Sequence, residues 1–193
     1  MNSPIVLASG SPRRRQLLEM LGLPFRVVLP EVDETYRNSE APEAYVVRLA
    51  REKATAVAAR EPGELVLGAD TTVVVRGEVL GKPSSPDEAA AMLARLRGRT
   101  HQVLSGVALA AGDRVEHALD VTDVTFRPLD DATITAYVAT GEPMDKAGAY
   151  AVQGRGAMLV EGIRGDFFGV MGLPLRLVLE LLERFGRPYR LTR

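Results

Sequence analysis

The sequence contains no cysteine and no tryptophan, and only two of its 193 residues are histidine. Without cysteine, the chain can form no disulfide, no thiol nucleophile and no zinc–thiolate site. The two histidines, His101 and His117, are too few and too poorly spaced for an HExxH motif or a three-histidine metal site. These absences exclude disulfide-stabilised scaffolds, cysteine hydrolases and the common zinc enzymes.

The sequence also lacks a long apolar run and an excess of charge of either sign. No run reaches the ~18 apolar residues of a membrane span. The short apolar segment PIVLA precedes the nearby arginines, which is the reverse of a signal peptide. The net charge of −1 argues against a general nucleic-acid binder. We therefore expect a cytoplasmic protein with neither membrane nor nucleic-acid partners.

Strand patterns and helix patterns alternate along the first half of the chain, and a long β-hairpin with a turn at Gly112 and Asp113 follows. This order predicts an α/β fold with a mixed sheet. We expect one domain over residues 1–193, in which a break near 82–87 and a return after 153 separate two lobes around a cleft. The predicted strands are 4–8, 25–29, 65–69, 72–75, 79–80, 100–111 and 114–126, and the predicted helices are 12–21, 42–60, 86–96, 130–139 and 173–185.

The first predicted helix begins in the stretch LASGSPRRRQLL, with Ser11 as N-cap and Pro12 at the first helical position. Three arginines follow directly, where the helix dipole is positive and each exposed cation costs ~0.3–1 kcal/mol. Free backbone N–H groups at this tip, with the hydroxyls of Ser9 and Ser11, would form a cradle for phosphate. A polyanionic ligand would explain why the helix tip is so positive.

Helical spacing separates the three arginines. Arg14 lies on the face of the buried leucine stripe, and Arg13 lies at the edge of that stripe. Arg15 is expected to pair with Glu19 four residues later and to face solvent. Arg13 and Arg14 are therefore candidate phosphate ligands, because a cation on a core-facing side needs an anion. The structural alternative is a plain N-cap followed by surface arginines.

Two further charged residues interrupt apolar patterns. Lys53 lies on the apolar face of the second predicted helix, seven residues after Val46 and four before Val57. Asp70 interrupts the apolar run LVLGADTTVVV, where we expect it at the end of a strand. A buried carboxylate is costly unless a cation or a metal compensates its charge, so Asp70 is a candidate general base or metal-linked acid. A lysine that reaches solvent along its stem and an aspartate that caps a turn are the structural alternatives.

The segment GEVLGKP resembles a P-loop but has only three residues between its glycines and proline after Lys82, so we reject that motif. Lys82 remains a candidate cation beside a glycine turn. In the loop PEVDET, the carboxylates of Glu31, Asp33 and Glu34 would suit a hard divalent cation, unless they are simply solvated. Together these residues indicate a phosphate-handling site with Mg²⁺, and hydrolysis of a nucleoside triphosphate or a similar polyphosphate.

Seven segments in this order resemble the Maf family of nucleoside triphosphate pyrophosphatases: LASGSPRRRQLL, EVDET, YVVRLAREKA, LGADTTVV, LGKP, DKAGAYAVQG and VMGLP. The resemblance implies an elongated mixed sheet flanked by helices, with a cleft between two lobes, similar to inosine triphosphate pyrophosphatases. It implies hydrolysis of the α–β bond of a nucleoside triphosphate with a divalent cation, Mg²⁺ or Mn²⁺. It also leaves a homodimer open.

The resemblance assigns roles to individual residues. Asp70 matches the proposed proton acceptor of the family, and Glu34 matches its early acidic position, so both are candidate metal ligands and Asp70 is the candidate catalytic residue. Whether Asp70 acts as base or through the metal stays open at this point. The positions that match the family's phosphate-binding residues are Ser9, Ser11, Arg13, Arg14, Lys53 and Lys82.

Three positions bear on the base. The family branch that acts on 7-methyl-GTP has tryptophan where this chain has Arg13, and the combination of Arg13, Thr71 and Gln153 resembles the dTTP/UTP branch. The predicted substrate-binding set is completed by Thr71 of LGADTTVV and by Lys146 and Gln153 of DKAGAYAVQG. One departure from the family pattern is the loop GDFFGVMGLP, where many relatives have polar residues at the positions of Phe167 or Phe168.

Two other functions remain as alternatives to a dTTP/UTP pyrophosphatase. One is a nucleotide-binding regulator of cell division without catalysis, and the other is a pyrophosphatase for a modified nucleotide such as 7-methyl-GTP.

Overall fold

The computed structural model describes residues 4–37 and 40–191, which form one seven-stranded mixed sheet flanked by helices. This confirms the predicted α/β architecture. None of the helices in these two ranges is long and apolar enough to cross a membrane. The strands are β1 (Ile5–Ala8), β2 (Phe25–Val27), β3 (Val66–Val75), β4 (Glu78–Leu80), β5 (Thr100–Ala111), β6 (Arg114–Phe126) and β7 (Val160–Arg164). The helices are α1 (Pro12–Met20), α2 (Pro42–Ala58), α3 (Pro86–Leu96), α4 (Asp131–Val138), α5 (Phe167–Met171) and α6 (Leu175–Arg184).

The sheet has the order β2-β1-β3-β5-β6-β7, and β4 pairs with β3 outside this path. β1 runs parallel to β2 and β3, whereas the other pairings are antiparallel. The predicted hairpin is present with its predicted bounds, as β5 and β6. Its turn uses Gly112 at a φ of 56°, a conformation that glycine adopts at little cost.

β3 is one continuous strand, so the prediction of two short strands divided at Asp70 is wrong, as is the placement of Asp70 at a strand end. One edge of β3 pairs with β5 from Val66 to Val74. The other edge pairs with β1 only up to Gly68, and with β4 only from Val73 onwards. Residues 69–72 therefore lie beside a gap in the sheet, where two neighbouring strands diverge.

α2 packs very closely against one face of the sheet at two glycines. A Cβ atom on Gly68 would lie 2.3 Å from the carbonyl oxygen of Ala50, and one on Gly106 would lie 2.5 Å from that of Val46. Only glycine allows so close an approach of strand and helix backbones. Because of this contact, side chains of α2 reach the sheet next to the gap beside residues 69–72 of β3.

The opposite face of β3 contributes to two separate hydrophobic clusters. Leu65, Leu67 and Ala69 pack in a cluster with leucines of α1 and α6. Val73 and Val75 pack in another cluster with residues of α3 and α4. Of the polar residues of β3, Thr71 lies on this face between the two clusters, whereas Asp70 and Thr72 lie on the face that packs against α2.

Two elements were absent from the sequence predictions. β7 has the sequence VEGIR, in which a charged residue and a glycine obscure any alternation. α5 has only five residues, fewer than a helical period can reveal, and the carboxylate of Asp166 caps it by accepting from the backbone N–H groups of Phe168 and Gly169. β2 also ends at Val27, two residues before its predicted end.

His101 should make the stability of this fold depend on pH. Its ring is buried, accepts or donates one hydrogen bond at 2.8 Å with the hydroxyl of Tyr150, and burial lowers its pKa to about 4. The unfolded chain takes up a proton near pH 6.5, whereas the folded chain does not, so stability falls as the pH drops below that value. From pH 7 to pH 5 we expect a loss of about 2 kcal/mol in the free energy of unfolding. Denaturant titrations at both pH values test this, with His101→Gln expected to flatten the dependence; an equal slope in both proteins would contradict the assignment.

Candidate functional site

A cavity of about 680 Å³ opens at the gap beside residues 69–72 of β3. Its walls come from the β1–α1 connection, α2, the residues after β4, the segment 145–153 and Gly172. This volume lies within the usual range for small-molecule sites. The residues that the family resemblance assigned to the site all line this cavity: Ser9, Ser11, Arg13, Arg14, Glu34, Lys53, Asp70, Thr71, Lys82, Lys146 and Gln153. Residues from distant parts of the sequence are thus brought together at one cavity.

Lys53 joins two carboxylates at the centre of the cavity. Its Nζ lies 2.7 Å from Oδ1 of Asp70 and 3.0 Å from Oε1 of Glu34. Lys53 and Asp70 are buried, whereas the side chain of Glu34 is 56% exposed. Burial raises the pKa of Asp70, and the charges of Lys53 and Arg14 oppose this shift without cancelling it. The carboxylate of Asp70 therefore has a stronger tendency to accept a proton than an ordinary aspartate has.

Arg14 is held by three hydrogen bonds. Its Nε donates to the carbonyl oxygen of Gly172 at 2.9 Å, and its two terminal nitrogens donate to Oγ of Ser9 at 3.0 Å and Oγ1 of Thr71 at 3.4 Å. The residue is only 9% exposed, as its place on the apolar face predicted. The guanidinium is therefore fixed at the cavity wall, and its direction is set before any ligand arrives.

The N-terminal tip of α1 has donors to spare. Ser11 is the N-cap residue, yet its hydroxyl makes no capping hydrogen bond, and its backbone N–H donates to Oγ of Ser9 at 3.2 Å. The N–H groups of the first helical turn have no partner within a helix. Arg13 is partly buried, with its Nη1 3.6 Å from Oδ2 of Asp145. Arg15 is exposed as predicted, but it forms no ion pair with Glu19, although the structure describes both residues.

Two lysines and a glutamine complete the cavity rim. Lys82 is exposed and follows β4 after Gly81, so it stands across the gap from the tip of α1. Nζ of Lys146 donates to the carbonyl oxygen of Glu142 at 2.7 Å and to Oδ1 of Asp145 at 2.5 Å. Gln153 is exposed and immediately precedes a short 3₁₀ helix, Gly154–Leu159. Lys82 and Gln153 are therefore open to a ligand from the solvent side, whereas the ammonium of Lys146 is held by two acceptors.

The acidic loop contributes one carboxylate and not three. Glu31 points away to Arg60, at 3.4 Å, and Asp33 accepts from the backbone N–H and hydroxyl of Thr35. Of the three carboxylates, only that of Glu34 lines the cavity. Across residues 4–37 and 40–191, no three acidic, histidine or cysteine side chains are grouped as a metal site. The hypothesis that all three loop carboxylates share a cation is wrong, because local turn and surface contacts take up two of them.

Sequence reasoning missed the residues that hold this loop in place. Arg48 makes a two-pronged ion pair with Glu40 at 2.7 and 2.8 Å and donates to the carbonyl oxygen of Thr35 at 3.2 Å. The hydroxyl of Tyr45 donates to the carbonyl oxygen of Glu34 at 3.0 Å. α2 thus positions both Lys53 and the loop that carries Glu34. The helical pattern alone could not show this, because the loop follows no periodicity.

A second missed set lies behind Arg14. The hydroxyl of Ser105 is 2.8 Å from that of Thr71 and donates to the carbonyl oxygen of Gly169 at 2.7 Å. Ser105 is fully buried in β5, opposite Thr71 in β3. It links the strand to α5, whose end at Gly172 accepts from Arg14. This serine lies in a strand with no motif of its own, so no local signal marked it.

Comparisons with known proteins find relatives along nearly the whole chain. The family model described as Maf-like protein matches residues 4–185. Proteins named dTTP/UTP pyrophosphatase are similar along most of their length: that of Symbiobacterium thermophilum is 55% identical over 184 residues (95% of each chain), and that of Moorella thermoacetica is 58% identical over 188 residues (95% of this chain, 96% of the relative). A solved structure, that of the Staphylococcus aureus Ham1 protein, aligns with a TM-score of 0.48 at 15% identity and covers 95% of this chain and 97% of the other.

Proposed function

The chain belongs to the Maf-like protein family, and from this premise we propose that it is a nucleoside triphosphate pyrophosphatase that hydrolyses dTTP and UTP. The products are the nucleoside monophosphate and pyrophosphate. The observation that carries the proposal is the buried Asp70, joined by Lys53 to Glu34 in a cavity that also contains Arg14. The names of relatives more than 50% identical support the substrate assignment.

The cationic wall of the cavity suits a triphosphate. The tip of α1 offers free N–H groups and the unused hydroxyl of Ser11, and Arg13 and Arg14 stand in its first turn. Lys82 faces the same space from the far side of the gap. Oriented donors of this kind hold phosphate oxygens and also stabilise the charge that builds up as the α–β bond breaks. The positive helix tip is therefore explained by the substrate.

Asp70 is placed to accept the proton of the attacking water. The water oxygen bonds to the α-phosphorus, its proton passes to the carboxylate, and the bond to the β-phosphate oxygen breaks to release pyrophosphate. Burial raises the pKa of Asp70, which makes it a better proton acceptor than a solvated aspartate. Lys53 holds one carboxylate oxygen at 2.7 Å, so the carboxylate keeps its direction during the reaction.

Glu34 and Asp70 are the residues that would hold a divalent cation, Mg²⁺ or Mn²⁺. Mg²⁺ is usually bound by one or two carboxylates together with phosphate oxygens of the substrate, and the two carboxylates on Lys53 fit that donor set. When bound, the cation neutralises negative charge on the triphosphate. The third carboxylate that lines the cavity, that of Asp145, pairs with Arg13 and Lys146, so the substrate would bring the remaining ligands.

Gln153 is the proposed reader of the base. Its amide both donates and accepts, which suits the O4 and N3–H edge that thymine and uracil share. Cytosine presents an amine and an acceptor at these positions, so an amide held in one orientation is mismatched to it. Arg13, planar and partly buried at the rim, would close the pocket on the phosphate side.

We also propose that the substrates are free nucleotides of the cytoplasm and not nucleic acid. The support is the net charge of −1 and the bounded cavity, since binding to nucleic acid relies on extended basic surfaces.

One assay tests the proposal directly. The purified protein is incubated with dTTP, UTP, CTP, GTP or 7-methyl-GTP and Mg²⁺, and pyrophosphate and orthophosphate are measured separately. We expect pyrophosphate and dTMP to form together from dTTP, with the highest kcat/KM for dTTP and UTP. Orthophosphate released first, with dTDP accumulating, would contradict the bond assignment. A guanine nucleotide with the highest kcat/KM would contradict the base assignment alone.

A further inference from the structure

Glu142 organises the segment that carries Gln153, although its own side chain is not among the residues that line the cavity. One carboxylate oxygen, Oε1, accepts from the hydroxyl of Tyr137 and from the backbone N–H of Gly156, both at 2.9 Å. The other, Oε2, accepts from the backbone N–H of Arg155 at 3.1 Å. A single partly buried carboxylate thus binds three donors, two of which lie just after Gln153.

The same network fixes the backbone on both sides of Gln153. The hydroxyl of Tyr137, which donates to Glu142, also accepts from the backbone N–H of Ala151 at 3.2 Å. The chain is therefore held two residues before Gln153 and again two and three residues after it. Burial alone would raise the pKa of Glu142, but the hydrogen bonds from Gly156 and Arg155 outweigh this and hold the pKa below its usual value, so the carboxylate is ionised at neutral pH.

Close packing shows that this segment has little freedom to rearrange. A Cβ atom on Gly156 would lie 2.2 Å from the carbonyl oxygen of Ala151 and 2.6 Å from the hydroxyl of Tyr137. Gly154 has a φ of 69°, and a Cβ atom there would lie 2.8 Å from Oε2 of Glu142. The carboxylate and two glycines therefore define one tight turn, and Gln153 begins it.

We propose that Glu142 is a positioning residue for base recognition: through Tyr137, Arg155 and Gly156 it fixes the backbone from which Gln153 reaches the pyrimidine. This inference rests on the proposed function above and deepens it. The phosphate-binding and proton-accepting side chains belong to other elements, so the role of Glu142 is in selectivity and not in bond cleavage. The backbone carbonyl oxygen of Glu142 also accepts a hydrogen bond from Nζ of Lys146. A substitution of the Glu142 side chain leaves this backbone acceptor in place.

The test compares Glu142→Gln with wild type on dTTP and CTP. The amide keeps the size of the side chain but turns one acceptor oxygen into a donor that faces a donor. We expect kcat/KM for dTTP to fall about tenfold, mainly through a higher KM, and kcat/KM for CTP to fall much less. The dTTP:CTP selectivity should therefore drop several-fold. In hydrogen-exchange measurements, the amides of Arg155 and Gly156 should exchange faster in the variant.

Two further variants keep the proposal open to failure. Tyr137→Phe removes only the hydroxyl that links Ala151 to Glu142, and it should give a smaller loss of the same selectivity even where Glu142→Gln folds poorly. Glu161→Gln changes an exposed carboxylate of β7 and should leave kcat/KM for both dTTP and CTP unchanged. Equal losses for dTTP and CTP in both test variants would overturn the inference. Failure of the proposed function looks different, since wild type itself would then show no preference for dTTP.

Discussion

Asp70→Asn is expected to lower kcat for dTTP roughly 10²-fold or more, the scale of a lost general base. The amide has nearly the shape of the carboxylate but cannot accept the proton of the attacking water. It also carries no negative charge for a divalent cation, so both proposed roles of Asp70 are lost together. The fold should survive, because the amide oxygen can still accept from the buried Lys53 and Glu34 still pairs with that lysine. Steady-state rates and thermal melting of the same preparation provide the test.

Asp120→Asn is the matched control for this experiment. Asp120 is another buried aspartate of the same sheet whose pKa is raised by burial, but it does not line the cavity. The control should keep kcat within a few-fold of wild type. Near-normal turnover in a well-folded Asp70→Asn protein would show that the cavity binds nucleotides without using this carboxylate, and would support the alternative of a binding regulator.

Arg14→Ala should lower kcat/KM for dTTP about 10²- to 10³-fold, the range seen when an oriented charge-stabilising donor is removed. The change deletes a buried cation at the phosphate wall and leaves the carbonyl oxygen of Gly172 and the hydroxyl of Ser9 without their donor. We also expect a loss of about 1–3 kcal/mol in the free energy of unfolding for these unpaired groups. Arg14→Lys should rescue little activity, because one ammonium cannot reproduce the three directions of the guanidinium.

Arg15→Ala supplies the comparison, since it removes an adjacent cation that is exposed to solvent. Its kcat/KM should stay within about twofold of wild type, because surface charges that contact nothing contribute little. Activity and urea denaturation are measured for both variants under the same conditions. Equal losses for Arg14→Ala and Arg15→Ala would mean that long-range charge, and not the fixed geometry of one guanidinium, accounts for substrate binding.

The sequence alone was sufficient where periodicity decides the outcome. Helical spacing put Arg14 on the buried face of α1 and Lys53 on the buried face of α2, and both are buried in the structure. The long β5–β6 hairpin was equally readable, because alternation and a glycine turn are local signals. Each of these features depends on residues within a few turns or one hairpin, so the pattern and the structure carry the same information.

Only the tertiary structure decided what these side chains meet. Arg14 donates to the carbonyl oxygen of Gly172, 158 residues away. The gap beside Asp70 exists because β1 and β4 pair with one edge of β3 at separate places. The hydrogen bonds of Arg48 to the loop before α2, and of Glu142 to the segment after Gln153, also join parts of the chain whose sequence spacing follows no helical or strand period. The period of apolar residues indicates which face of a helix or strand is buried, whereas strand order and loop packing determine which residues contact that face. The sequence by itself therefore determined the chemical groups of this site, and the packing of distant segments determined their geometry.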